Sequence, residues 1–169
     1  GGANLSSIDN GVKTEGVNLS AGLSLVPNPR LSVNMSYSGN TSHRTGGGLP
    51  DTTATNRTGT VNVSYTPVRA VYLYADWNIT SQTGQPQSTA VTLNAGWTPF
   101  PDGTLHFNIP YTETRRSSDN ARDQSFYPGI RWNITRRTTL DVGYSWFHSH
   151  SDFQQSTENV YNVHLRIPF

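Results

Sequence analysis

Apolar residues recur at every second position in this chain and almost never at helical spacing. A period of two belongs to an extended strand, whose successive side chains point to opposite faces, so the pattern commits the chain to β structure. It holds over nine segments, at 17–25, 31–37, 61–65, 71–79, 91–97, 105–111, 126–134, 140–146 and 161–169. In the first, Val17, Leu19, Ala21, Leu23 and Leu25 alternate with Asn18, Ser20, Gly22 and Ser24. In the fourth, Val71, Leu73, Ala75, Trp77 and Ile79 alternate with Tyr72, Tyr74, Asp76 and Asn78. None of the nine places Val, Leu, Ile or Ala on its second face, and Pro128 interrupts the apolar face of the seventh.

One-sided alternation suits either the inside of a soluble sandwich or the lipid face of a transmembrane barrel. Charged residues make up 14% of the chain, against roughly 25% in an ordinary soluble domain. Aromatics reach 11% and the net charge is only +1, the reverse of a disordered segment. The lack of cysteine removes disulfide frameworks, thiolate zinc sites and cysteine nucleophiles together. No apolar run approaches the ~18–20 residues of a spanning helix. Barrel strands, however, cross a bilayer by alternation, which a hydropathy window passes over.

Two features favour the membrane. The connections alternate in length: short at 27–30, 66–69, 98–103 and 135–138, long and polar at 39–57, 81–87, 114–124 and 149–157. Short periplasmic turns and long extracellular loops are the rule in outer-membrane barrels. The aromatics of the apolar face also sort to strand ends. With the short turns below, Tyr37, Trp77, Tyr111, Phe126, Trp146 and Tyr161 form an upper rim, and Tyr65, Trp97, Trp132 and Phe169 a lower one. Two aromatic girdles around an aliphatic band match two bilayer interfaces. A sandwich core gives no reason for such sorting.

The last nine residues carry Tyr161, Val163, Leu165 and Ile167 at alternate positions before a terminal Phe169. This resembles the C-terminal assembly signal of bacterial outer-membrane β-barrel proteins, and the resemblance is porin-like over the whole alternating region. It implies an antiparallel up-and-down transmembrane β-barrel in the bacterial outer membrane, with lipid, lipopolysaccharide and the barrel-assembly machinery as partners. Phe169 then ends at the periplasmic rim, so the ninth strand descends and so does the first. Because single-chain barrels favour even strand numbers, either 1–9 supplies a tenth strand or the chain is the C-terminal slice of a larger barrel. The 1–16 segment reads as a weak strand or a loop, and 1–169 as a single barrel domain.

The expected function is a porin-like channel wall for passive transport of small polar solutes. A barrel that anchors or encloses a partner, such as an adhesin domain or an electron-transfer conduit, is the alternative, with a plug or partner chain in the lumen. An outer-membrane enzyme is the third. For it, His148, Ser149, His150, Ser151 and Asp152 are the residues to weigh, and His148, His150 and Asp152 are weak metal-ligand candidates. The reading assigns the five to a solvated loop, with no catalytic role, no metal and no cofactor. Gly46-Gly47-Gly48 lacks the Lys-Ser/Thr of a phosphate loop, and no basic stripe points to nucleic acid. Arg115, Arg116 and Arg122 share a loop with Asp119 and Asp123, a mixed set that suits either a generic polar loop or a lipopolysaccharide contact. Finally, Asp141 on the polar face is expected between Arg131 and Arg166 as a shared acceptor near the periplasmic rim, a lumen charge cluster.

Overall fold

The computed structural model describes residues 2–8, 12–46, 48, 50–135 and 138–167, with side chains from residue 12 onward. Its strands are β1 (Gly2–Ile8), β2 (Val12–Asn28), β3 (Leu31–Gly46), β4 (Thr52–Tyr65), β5 (Val71–Gln82), β6 (Ser88–Trp97), β7 (Leu105–Arg116), β8 (Arg122–Phe126), β9 (Gly129–Asn133), β10 (Thr139–His150) and β11 (Gln155–Arg166). They form one antiparallel sheet in which each strand pairs with its neighbour in sequence, β8 and β9 sharing the lane between β7 and β10. Within the 1–9 segment, weak as a strand by its pattern, residues 2–8 pair with β2 through Gly2↔Asn18 to Ile8↔Val12. Among the described residues, β1 pairs only with β2 and β11 only with β10.

The seventh alternating segment is divided because Tyr127-Pro128 falls outside β8 and β9, although register does not change. Tyr111↔Phe126 and Asn108↔Gly129 belong to one alignment with β7, as Trp146↔Phe126 and Gly143↔Gly129 do with β10. Pro110 on β7 lies opposite Tyr127 and accepts its N–H at 3.1 Å, while Pro128 accepts from Tyr144 N–H at 3.0 Å. Neither proline has an N–H to return. One rung in each of the two ladders that flank this lane is therefore single-sided.

The expected long loops are mostly strand. Of 39–57, all but the tip belongs to β3 and β4, which pair as far out as Arg44↔Thr52. The other three shrink to turns at 83–87, 117–121 and 151–154. These stretches are rich in Thr, Ser and Asn, so they carry no hydrophobic alternation; β-branched Thr nevertheless suits a pleated surface. The hairpins thus continue past the aliphatic band on one side. On the other, the connections stay tight. Asn28 Oδ1 accepts the Arg30 N–H at 2.8 Å in the 29–30 turn, and Arg30 Nη1 donates to the Pro67 carbonyl at 2.8 Å.

The sheet has almost no interior. Among the described residues Ala121, 3% exposed, is the sole buried hydrophobic, whereas Leu19, Leu23, Leu73, Trp77, Leu93, Trp97, Ile109 and Trp132 stand exposed on the alternating apolar face. The accessible surface is 11887 Å², against about 8200 Å² for a compact soluble monomer of this mass. Exposed apolar patches beyond a few hundred Å² need a partner or a membrane. The aliphatic bands, nine residues long at 17–25 and 71–79, match the 9–11 residues of a tilted strand crossing a bilayer.

Candidate functional site: the polar face and its charged row

The second face of the sheet is polar throughout the band. Across β2 to β4 and the upper part of β5 its side chains are short and bonded sideways: Ser24 Oγ to Asn34 Oδ1 at 2.7 Å, Ser32 to Ser64 at 3.0 Å, and Asn78 Nδ2 to Thr60 Oγ1 at 3.0 Å. Lower on β5 the same face carries Tyr72 and Tyr74, their rings stacked at 6.5 Å. Asn40 donates to Asn18 and Asn62 to Asp76 in the same manner. Lateral bonding spends donors and acceptors within the wall, which leaves the β2–β4 part of this face smooth.

The other half is not smooth. One register line crosses it as His106↔Arg131, Arg131↔Asp141 and Asp141↔His164, on β7, β9, β10 and β11 in turn. Thr98, after β6, extends the line with a 3.0 Å hydrogen bond to His106 Nδ1. Arg131 Nε meets Asp141 Oδ1 at 2.7 Å. With the neighbouring Asn108, Asn133 and Asn162, the row borders an open groove of about 930 Å³. It is the only ion pair among the described residues that lies between the two aromatic rims on the polar face.

Arg166 does not join it as expected. The strand partner of Arg166 is Thr139, and the residue facing Asp141 across β11 is His164. Counting back from the chain end fixed the expected depth of β11, but register is set at the other end by the 151–154 turn, where Ser151 N–H bonds the Gln154 carbonyl at 2.8 Å. The offset is two residues, so the face is right and the neighbour wrong. Sequence reasoning passed over His106 and His164, although both stand on the polar face; only register brings them into line with Arg131.

His148, Ser149 and His150 lie in β10 and not in a loop, because polar residues extend the strand. Pairing sends them to alternate faces. Ser149 Oγ donates to Asp123 Oδ1 at 2.6 Å, while the His148 ring, on the opposite face, stacks on Trp146 at 5.9 Å and contacts Thr157 through Nδ1 at 2.8 Å. A serine and a base on opposite faces cannot exchange a proton directly. Asp152 accepts from Asn120 Nδ2 at 3.0 Å, held by the left-handed Asn120 (φ 49°) of the 117–121 turn. Among the described residues no group of three His, Asp or Glu side chains is placed to hold a metal ion.

On the apolar face, Tyr37, Trp77, Tyr65, Trp97 and Trp132 stand exposed, while Tyr111, Phe126 and Trp146 are half-buried by their neighbours. Trp97 stacks on Phe107 at 5.0 Å and Tyr144 tilts against Tyr161 at 4.9 Å. Tyr161, Val163 and Leu165 share the apolar side of β11; Ile167 follows the strand, and Phe169 lies outside the described residues. Above the upper rim this face holds a carboxylate that sequence reading missed. Glu113, 8% exposed, accepts from Tyr111 Oη at 2.6 Å, Arg122 Nη2 at 2.8 Å, Gln124 Nε2 at 3.1 Å and Arg115 Nε. It lies in 112–116, the part of β7 beyond the spanning segment. The Arg122 guanidinium, ahead of the Tyr111 and Arg115 bonds, holds its carboxyl down at about 2, against the opposing effect of burial.

An antiparallel sheet without a core, aliphatic and aromatic-rimmed on one face and hydrophilic on the other, is that of a β-barrel membrane protein. The model of the Gram-negative porin family matches residues 2–152, and the chain belongs to that family, whose place is the bacterial outer membrane. Its fold is similar to the crystal structure of the outer membrane channel DcaP of Acinetobacter baumannii, with a TM-score of 0.63 and 10% sequence identity over 96% of this chain. The chain spans 60% of the length of that channel. No curated protein sequence matches it.

Proposed function

We propose that the chain forms the wall of a non-enzymatic, porin-like channel for passive diffusion of small polar solutes, with the His106–Arg131–Asp141–His164 row facing the passage. The observation that carries this is the division of the polar face. Within the aliphatic band its β2–β4 part is short, neutral and laterally bonded, and its β7–β11 part bears charged groups beside an open groove. A wall that merely had to fill itself would carry large interdigitating side chains all round. Charges along one side of a wet passage instead bias which ions pass without stopping neutral solutes. Membership of the porin family supports the reading.

Conductance of the purified protein in planar bilayers tests it. Discrete ohmic steps are expected, with a salt-gradient reversal potential that shifts in Asp141→Asn. A silent barrel that holds its fold would support the anchoring alternative and overturn the channel.

A further inference from the structure

We infer that Arg115 and Arg122, braced by Glu113, bind a phosphate of an outer-leaflet saccharolipid headgroup, that is, phosphorylated lipid A, on the lipid-facing surface of the sheet. The inference rests on the outer-membrane placement and on taking the 117–121 turn as extracellular; it does not depend on whether the passage conducts.

Three adjacent strands change character in the same way as they leave the upper rim. On β7 the apolar-face sequence is Tyr111, Glu113, Arg115; on β8 it is Phe126, Gln124, Arg122; on β10 it is Trp146, His148, His150. Two steps of the strand period rise about 13 Å along a strand, or about 10 Å along the normal at barrel tilt. The aromatics therefore mark the interface, and the arginines stand at headgroup level.

Arg115 and Arg122 are direct cross-strand partners, an arrangement of like charges that is unfavourable by itself. Glu113 answers one charge of the two, and its oxygens are already occupied by Tyr111, Gln124 and both arginines. The pair keeps a net positive charge. Each guanidinium has five N–H donors in a fixed fork and spends only part of them on Glu113, while the side chains remain 62% and 44% exposed. Such forks match phosphate oxygens in a bidentate manner, and holding them in place beforehand lowers the ordering cost. Beside them opens a recess of about 360 Å³ whose lining includes Thr89, Ser117 and Ala121. The aromatic rim directly beneath, on the same face, offers acyl contact. A solute in the passage meets the opposite face, so charge and position together select a lipid over a free anion.

The full chain in detergent is titrated with bisphosphorylated lipid A and with its dephosphorylated form, and binding is read by native mass spectrometry. The phosphorylated form is expected to bind at least tenfold tighter, a comparison that needs no variant. The Arg115→Gln/Arg122→Gln double variant is expected to lose at least tenfold in affinity, and Arg69→Gln, in the connection at the other end, to lose none. Equal binding of the two lipid forms, or full affinity in a folded double variant, overturns the proposal. Displacement of the lipid by equimolar inorganic phosphate would make this a site for free anions, and equal affinity for phosphatidylglycerol a generic anionic patch; either result overturns the lipid A assignment.

Discussion

Placing an arginine on each face in turn tests the membrane reading most directly. Leu73 stands on the apolar face of β5, between Tyr65 and Ala95 in register, one step from Ala75 at the middle of the 71–79 band. An arginine at the bilayer midplane of a barrel costs about 2–4 kcal/mol, and the cost fades toward the interfaces. One strand step, shortened by tilt, moves Leu73 about 5 Å from the midplane. Leu73→Arg is therefore expected to cost about 2–3 kcal/mol, roughly 30- to 150-fold in the folding equilibrium. Asn94, next door on β6 and at nearby depth, faces Tyr74 and Pro110 on the polar side. On that side an arginine does not enter hydrocarbon, so Asn94→Arg escapes the midplane cost and is expected to cost under about 1 kcal/mol. Guanidinium unfolding of each variant in lipid vesicles, followed by tryptophan fluorescence, gives both numbers. Equal costs, or a greater one for Asn94→Arg, would refute the assignment of faces.

Protease added to intact cells should cut between β3 and β4 and in the 117–121 turn and spare 135–138; cleavage confined to the last would reverse the orientation. Asp141→Asn should leave stability within about 1 kcal/mol, because its partnership with Arg131 is exposed, while bilayer recordings show stronger anion preference. Full preservation of the wild-type reversal potential would take the row out of the conducting path. Glu113→Gln should cost about 1–3 kcal/mol, since it removes the acceptor of two arginines. The Glu113 carboxyl is lowered from 4.5 to about 2 in the folded protein. Its contribution is thus whole above the unfolded value and is lost as pH falls through the folded one. The gap between wild type and variant in urea titrations should accordingly shrink between about pH 4.5 and pH 2; a constant gap across that window would contradict the brace.

Faces were legible in the sequence, while lengths and registers were less so. Among the described residues, the apolar positions of the nine segments lie on one face because lipid demands a strict period of two there, and nothing about tertiary context can relax it. Beyond the band that demand lapses: 38–46 and 52–60 extend as strands on hydrogen bonding and Thr content alone, which alternation cannot reveal. Register is fixed by turns, so the two-residue offset that put His164 in place of Arg166 was invisible to a count from the chain end. Glu113 escaped notice for a related reason. It sits on the apolar face by parity, and only the pairing of β7 with β8 shows that Arg115 and Arg122 converge on it.

Pro110 and Pro128 give the wall a line of compliance. A sheet resists bending through its rungs, and here one rung on each side of the β8/β9 lane, Pro110–Tyr127 toward β7 and Pro128–Tyr144 toward β10, is held by a single bond. The cut falls within the span of β7, where hydrocarbon lies on one side and no backbone group finds a substitute partner there. Relief must come from the other side, so the seam ties the elasticity of the shell to hydration of its inner surface. A protein of this build, stripped of water along that line, would stiffen or tear where the two prolines meet.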